Sequence, residues 1–499
     1  MIGSTEKVIP RRFSLKVVIM QTKHISRWPL KLLKIILVVT VSIGLGAPPC
    51  PALTIKEEKD LGRQVLRHVA GQYQFITDPE ITGVIDRIGR KILAVAGPQP
   101  FDYRFYVIRS DVYNAFATPA GHVFINSGLL EIMDTEDQLA GILSHEIAHV
   151  ICRHISRRIQ KAKKVQIATL AGMVAGIFLG MGGAAAPGNA LAVGSMAAGQ
   201  SAMLSYSRKD EIQADEIGLL NLSKAGYSAR GLLKVLKAIR SKQWFGSKQI
   251  PTYLKTHPAV EARLAYIDTW IERHEKGKKR PPPSNKTANA YARMHTYFIG
   301  RYGNLERALK HFRTILAANA NDPMGQYGLG LALIRANRLQ EAETHLKAAV
   351  SRMALDPLVV KDLGRLYFLE GKWQAAGQTL QSALDMGGKH PEILFYLGRS
   401  QAEAGKKDQA IATLEKLIAT HPDYPEGYYF LGQLVGESGK LARAHYYLGQ
   451  FYLKKHQPRK ARFHIRRALE KTTDPSLKDK LRQLLADLPT AARKSGSKN

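Results

Sequence analysis

Cysteine is nearly absent: the 499 residues contain two, Cys50 and Cys152. A disulfide scaffold is therefore excluded. Apolar stretches are few and short, which excludes a polytopic membrane protein. Acidic residues are scarce, 41 against 73 Lys and Arg, so the formal charge is +32. Such a chain favours acidic partners: nucleic acid, an anionic membrane surface or acidic protein. What is present is ordinary globular material, 45% hydrophobic and 23% charged, so disorder, collagen and coiled coil are excluded as well. The length suggests roughly two to four domains.

The N-terminus narrows the choice of partner. Lys23, Arg27, Lys31 and Lys34 precede an apolar run from Ile35 to Ala47, then Pro48-Pro49-Cys50-Pro51-Ala52. A basic region, a short apolar core and a small residue at its end describe a cleaved secretion signal over residues 1–52. An uncleaved anchor helix is the alternative, although a span takes about 20 apolar residues. The segment holds +7 of the +32 and leaves +25 on an exported protein with Cys152 alone. Export removes nucleic acid as a partner. It leaves anionic lipid or lipopolysaccharide surfaces and acidic proteins, or a basic surface that serves solubility only.

The C-terminal part repeats every 34 residues. Pro323, Pro357, Pro391 and Pro425 share that spacing, as do Gly330, Gly364, Gly398 and Gly432, each preceded by Leu. Ala308, Ala342, Ala376, Ala410 and Ala444 hold the same period, and Phe312, Leu346, Leu380, Leu414 and Leu448 follow them by four. Gly371, Gly405 and Gly439 mark turns inside three units. The pattern resembles the tetratricopeptide repeat (TPR): two helices per unit, small residues where they touch, and Pro ending the second helix. It covers about residues 290–459, with a degenerate helical cap to 487. A stacked array presents a concave groove for peptides or protein surfaces, or else only props up the domain before it. The basic, Pro-rich residues 276–289 read as a linker and 488–499 as a basic tail.

The chemistry lies at His145-Glu146-Ile147-Ala148-His149. Thr135-Glu136-Asp137-Gln138 reads as a capping box opening a helix, with Leu139, Ile142, Leu143, Ile147 and Val150 as its apolar face. Histidines four apart on a helix project from one side and can share one zinc ion. Glu146 beside them can take a proton from an attacking water, the logic of the HExxH zinc peptidase motif. His154, five residues after His149, reads as a surface residue. A catalytic zinc takes a third protein ligand. Glu211 supplies it, four residues before Asp215, which can accept the far N–H of a liganding histidine and fix its tautomer. Asp210 and Glu216 read as solvated.

HEIAH followed by Glu211-x-x-Ala214-Asp215-x-x-Gly218 resembles the gluzincin peptidases that include HtpX and the CAAX prenyl endopeptidase. Asn114-Ala115-Phe116-Ala117 and the run Gly121 to Leu130 match that family's segment before the zinc helix, over roughly residues 55–275. An exported member followed by TPR repeats is similar to periplasmic β-barrel assembly-enhancing proteases. The likeness implies quality control of outer-membrane proteins: the partners would be unfolded or misassembled outer-membrane proteins and their assembly machinery, met through the TPR groove. Relatives also carry a His-Pro where His257-Pro258 stands. His257 is thus a candidate fourth zinc ligand that holds the enzyme latent, or a histidine that caps a helix or binds substrate.

Two local expectations complete the reading. Val123-Phe124-Ile125 reads as an edge strand beside the zinc cleft, able to hold substrate by strand addition, with Asn114 as a substrate-orienting or turn-forming residue. Residues 165–207 carry no charged side chain and read as a hairpin that makes peripheral membrane or partner contact, or packs as a cover over the site. The whole is an α+β zinc metallopeptidase domain over 53–275, with an HExxH active-site helix and a small β-sheet, followed by an all-α TPR solenoid over 290–487. One zinc per protein molecule is expected, and the two parts are expected to separate at the linker. A periplasmic chaperone or assembly scaffold with a dispensable protease site, and a membrane-associated processing peptidase, are the rival functions.

Overall fold

The computed structural model describes residues 53–161, 206–244, 251–277 and 285–488. The expected signal, the 165–207 hairpin up to residue 205, the centre of the linker and the tail beyond residue 488 lie outside the described residues. The described residues all belong to one compact unit. Among the described residues no helix is long and apolar enough to cross a membrane.

Helix α1 (Ile55–Gln72) opens on a capping box between Thr54 and Glu57. After the short strand β1 (Phe75–Ile76), Asp78 caps α2 (Pro79–Leu93) by accepting from the backbone N–H of Glu80. Strands β2 (Arg104–Ile108), β3 (Ala115–Thr118) and β4 (His122–Asn126) complete a sheet of order β1-β2-β4-β3. β2 and β4 run parallel, and β3 is antiparallel to β4. The turn between β3 and β4 takes positive φ at Ala120 (70°) and Gly121 (84°). This corrects one expectation: Val123-Phe124-Ile125 is the interior strand, paired on both sides, and the edge is β3. The β-branched and aromatic residues that mark Val123 to Ile125 as a strand carry no information about which neighbours it acquires.

Side chains alternate across the sheet. Val107, Val123 and Ile125 enter the main core with the active-site helix, whereas Ile108, Phe116 and Phe124 pack against Leu61, Val65 and Val69 of α1. After the short α3 (Ser127–Glu131) comes α4 (Glu136–Ile151), which carries the HExxH residues and is buried from Gln138 to Val150. A helix buried on every side needs layers all round it. α2, α7 (Ala229–Trp244) and α6 (Arg208–Lys224) supply them together with the sheet. The remaining helices of this part are α5 (His154–Lys161), α8 (Thr252–Thr256) and α9 (Val260–His274).

Helix α10 (Asn285–Tyr302), followed by α11 (Leu305–Ala318), begins the solenoid. The pairs α12 (Pro323–Arg335) with α13 (Leu339–Arg352), α14 (Pro357–Leu369) with α15 (Trp373–Asp385), α16 (Pro391–Glu403) with α17 (Lys407–Thr420), and α18 (Pro425–Glu437) with α19 (Leu441–Lys454) are the 34-residue units. α20 (Pro458–Lys471) and α21 (Pro475–Asp487) close the end. A Cβ on Gly330, Gly364, Gly398 or Gly432 would stand 2.7, 2.7, 2.9 or 3.1 Å from Cγ of Leu346, Leu380, Leu414 or Leu448. The two periodic positions are therefore the two sides of one helix contact. The prolines do not end second helices as expected. They stand at the first residue of the next helix, where a missing N–H costs nothing and the fixed φ suits the turn.

The seam between the two parts is buried. Tyr291, Met294 and Tyr297 of α10 are at most 2% exposed, and the Tyr291 hydroxyl donates to Met133 O at 2.6 Å. Asp78 accepts from the hydroxyls of Tyr297 (2.7 Å) and Tyr302 (2.9 Å) and lies 3.3 Å from Nε2 of His390. Arg293 spans Glu80 and Asp356 at 2.7 and 2.8 Å. This seam ties side chains more than 200 residues apart across the expected domain boundary.

Candidate metal centre and active site

Helix periodicity puts His145 and His149 on one face of α4, and α6 crosses that face closely. Gly218 permits the approach: Ser144 donates to Gly218 O at 2.7 Å, and a Cβ on Gly218 would lie 3.2 Å from Ser144 O. The crossing delivers Glu211 and Asp215, one turn apart, to the two histidines. His257, at the C-terminus of α8, arrives from a third direction.

The result is a cluster of His145, His149, Glu211 and His257, all buried, whose ligand atoms lie within 4.8 Å of one another. The Nε2 atoms of His145 and His149 face each other at 3.0 Å. Glu211 places Oε2 3.5 Å from Nε2 of His145 and Oε1 3.4 Å from Nε2 of His149. A tetrahedral zinc with ligands at about 2.0–2.1 Å sets its ligand atoms about 3.3–3.4 Å apart. The donor set also fits: two imidazoles with their outer nitrogens bonded elsewhere, and one carboxylate. The residues present therefore fit zinc.

Each histidine is held from behind. Nδ1 of His145 is 2.9 Å from Asp215 Oδ1, as the spacing of Asp215 to Glu211 implies. Nδ1 of His149 is 2.8 Å from Nδ1 of His154, whose Nε2 is 3.0 Å from Gln213 Oε1. His154 is thus not a surface residue, being 1% exposed. The helix breaks at Arg153, where φ is 53°, and α5 turns His154 back beneath His149. A straight helix would have pointed it away. Asp210 is not free either: it closes the capping box with Ser207 and pairs with Arg158 at 2.7 Å. Glu216 is exposed, as expected.

Arg263 of α9 is a member of the site that sequence reasoning does not find. It is 2% exposed, and its guanidinium meets Asp215 at 2.7 and 2.8 Å and Glu211 at 2.8 Å. One cation therefore neutralises two buried carboxylates. Nothing in Glu261-Ala262-Arg263 distinguishes this arginine from a surface one. Only the contact of α9 with α6 does.

The charges follow. Burial alone would raise Glu211, but Arg263, His257 and the two helix histidines hold it well below the ordinary carboxylate range. Burial and Arg263 oppose a proton on His145, yet Asp215 and Glu211 outweigh them and hold its pKa at about 9. Burial pulls His149 down to about 3 against the pull of Glu211. Burial also keeps the Tyr206 phenol protonated. That ring stacks on His149 with centroids 3.6 Å apart, and its hydroxyl donates to Ala117 O at 3.4 Å, on the edge strand β3.

Glu146 is fully buried and neither carboxylate oxygen accepts a hydrogen bond among the described residues. Its neighbour is Nε2 of His257, 3.4 Å from Oε1. His257 is held by Thr256 Oγ1 at 2.9 Å from its Nδ1 and by stacking on Tyr253 with centroids 4.2 Å apart. Asn114 is buried too, and accepts from the Thr256 hydroxyl at 3.5 Å, so it supports the His257 segment.

The comparisons agree with this geometry. Residues 79–271 match Peptidase family M48, and residues 301–358 and 367–434 match tetratricopeptide repeats. The beta-barrel assembly-enhancing protease of Escherichia coli (strain K12) is 28% identical over 298 residues, 59% of this chain and 59% of that protein. That of Yersinia pestis is 29% identical over 266 residues, 53% of each protein. The mitochondrial metalloendopeptidase OMA1 of Homo sapiens is 32% identical over 213 residues, 40% of this chain and 39% of its own. The matches thus span less than two thirds of these relatives' lengths. The shared part is the part that builds the His-His-Glu centre: residues 79–271 form a peptidase family M48 domain, a metallopeptidase domain followed by TPR repeats.

Proposed function

We propose that the protein is an exported, periplasmic zinc endopeptidase, closed at rest, whose solenoid receives unfolded or misassembled outer-membrane proteins. The observation that carries the enzymatic reading is Glu146: a buried carboxylate beside the cluster of His145, His149, Glu211 and His257, accepting no hydrogen bond among the described residues. A structural metal site needs no such base.

His145, His149 and Glu211 would hold the zinc, which when bound supplies Lewis acidity toward the scissile carbonyl and water. Glu146 takes the proton of the attacking water on its carboxylate and passes it to the leaving amine nitrogen. Asp215 and His154 fix the tautomers of the two histidines. Arg263 keeps Glu211 and Asp215 ionised. His257 sits against Glu146 as the latch, a candidate fourth ligand that leaves when the site opens. Tyr206, bonded to the Ala117 carbonyl, covers the β3 edge that would otherwise take an extended substrate by strand addition.

The names of the bacterial relatives support assembly of β-barrel proteins as the setting. Glu146→Gln is the test. It should cut casein hydrolysis by at least about 100-fold while retaining one zinc per protein molecule by elemental analysis. If Glu146→Gln still relieves an outer-membrane assembly defect, the scaffold function dominates. Unchanged hydrolysis, or protein that takes up no zinc, refutes the peptidase reading.

A further inference from the structure

Residues 34 apart occupy equal places in successive units, so each unit shows what its neighbours do with a given position. Ser400 of α16 corresponds to Ala332, Leu366 and Leu434, and Gln401 corresponds to Leu333, Tyr367 and Val435. Gly377 of α15 corresponds to Glu343, Ile411 and His445. At this one junction two apolar or aromatic places hold polar residues, and a third place has no side chain.

The three departures meet in one cavity. It measures about 510 Å³ and lies between α15, the C-terminal half of α16 and the start of α17. Small-molecule sites run to about 300–1,000 Å³. Two of the contributing helices are second helices of their units, so the cavity is separate from the face that first helices form alone. A Cβ on Gly377 would meet nothing within 4 Å, so the missing side chain leaves open space. Ser400 is 1% exposed, and its hydroxyl has no hydrogen-bond partner among the described residues. Leu366, in the equivalent place, is fully buried. A buried hydroxyl without a partner destabilises where leucine would stabilise, and such a group in a native fold calls for a role.

The lining specifies the ligand. Gln374, Gln378 and Gln381 come from α15, Gln401 from α16 and Gln409 from α17. Gln381 donates to Asp385 Oδ1 at 2.8 Å, and Gln401 accepts from the Thr413 hydroxyl at 2.7 Å. The amides of Gln374, Gln378 and Gln409 make no hydrogen bond among the described residues. No carboxylate lines the cavity, and its one charged lining residue, Lys406, is exposed. An anion would therefore find a single solvated cation. An apolar ligand would cover amides without pairing them. A peptide would bring side chains, for which the apolar lining offers Trp373, Leu397, Gly377 and Ala404. A sugar ring needs none of these. Each primary amide sets an acceptor beside two donors, which matches neighbouring hydroxyls on a pyranose. Trp373, half-buried with its ring centre 5.2 Å from that of Phe368, adds an aromatic body for the C–H face of such a ring.

We propose that the cavity between α15, α16 and α17 binds a neutral saccharide of one or two pyranose rings. The five glutamines read its hydroxyls, and the space at Gly377 and Ser400 admits the ring. This gives the solenoid a ligand other than polypeptide, at a site that the peptidase reaction does not use.

Full-length protein is titrated with cellobiose and with N,N′-diacetylchitobiose by isothermal titration calorimetry. At least one should bind with a dissociation constant at or below about 1 mM. Gly377→Ile puts the residue of the next unit into the space and should weaken that binding at least about tenfold. Ser400→Leu restores the residue of the neighbouring units. It should weaken binding similarly while the melting temperature holds or rises, an outcome that damage to the fold would not produce. Casein hydrolysis should be unchanged in both variants. Should Ser400→Leu fail to fold, Gly377→Ile decides alone. No saccharide binding up to about 20 mM overturns the proposal, as does binding that neither variant alters. Triglycine binding more tightly than both disaccharides assigns the amides to peptide backbone and overturns it. So does glucuronate binding at least about tenfold more tightly than either disaccharide, which would make Lys406 the anchor of an anion site.

Discussion

Nδ1 of His149 lies 2.8 Å from Nδ1 of His154. Two imidazole nitrogens at that distance share one proton, so one donates and the other accepts. His154 turns its Nε2 to the carbonyl oxygen of Gln213 and must donate there, which leaves its Nδ1 to accept. His149 is thereby fixed as the Nδ1–H tautomer, with the Nε2 lone pair facing His145 and Glu211. Asp215 does the same for His145 with a carboxylate. His154→Phe and Gln213→Leu should weaken zinc binding about 10- to 100-fold in a chelator competition, with little change in helix content. Zinc affinity equal to wild type in both would show that the pair plays no part in orienting His149.

Arg263 joins two carboxylates that sit on one face of α6. Its removal leaves both buried with one cation fewer, and only the His145 imidazole beside them opposes their charge. Arg263→Met should cost about 3–5 kcal/mol, measured by denaturant unfolding of the zinc-free protein so that lost metal does not contribute. A change under about 1 kcal/mol would mean that water reaches Asp215 and Glu211 in the variant.

The contact of His257 with Glu146 predicts latency. Peptide hydrolysis by His257→Ala should exceed that of wild type several-fold at matched zinc occupancy. Equal or lower activity rejects the latch and assigns His257 to substrate binding or to packing on Tyr253.

Asp78 joins the cap of α2 to the solenoid, so its charge should set the acid stability of the seam. Burial favours the neutral acid, but His390, Lys361 and Arg301 outweigh it and depress the folded-state pKa far below the ordinary value. A depressed carboxylate contributes fully above its unfolded pKa of about 3.9 and loses that contribution as pH falls below it. Asp78→Asn keeps a good N-cap but not the charge. It should destabilise by about 1–3 kcal/mol at pH 7, and the difference from wild type should shrink below about pH 4. A pH-independent difference would assign the effect to hydrogen bonding alone. A truncated protein ending at residue 289 loses Tyr291 and Tyr297 as well, and its melting temperature should fall further than that of the point variant.

Local chemistry is legible wherever one element carries it. Helix geometry alone pairs His145 with His149 and Glu211 with Asp215. The 34-residue period alone identifies the repeats, because glycine and leucine of each unit touch within that unit. The same period places the prolines on the wrong helix, because it shows a boundary between helices without saying which helix owns the residue. Only the φ restriction in place, at the first turn, assigns it.

The sequence by itself determined the class of chemistry and the two local pairs, His145 with His149 and Glu211 with Asp215, since each pair depends on a spacing of four residues along a helix. The tertiary structure decided what surrounds them. It placed β4 in the middle of the sheet, folded His154 under His149 through the left-handed turn at Arg153, and brought Arg263 across to two carboxylates 48 and 52 residues earlier in the sequence. It also buried the seam at Asp78, where one carboxylate meets Tyr297 and His390. Those contacts depend on how helices cross, and crossing is set by the packing of whole faces, a sum over many side chains to which no short motif is a key.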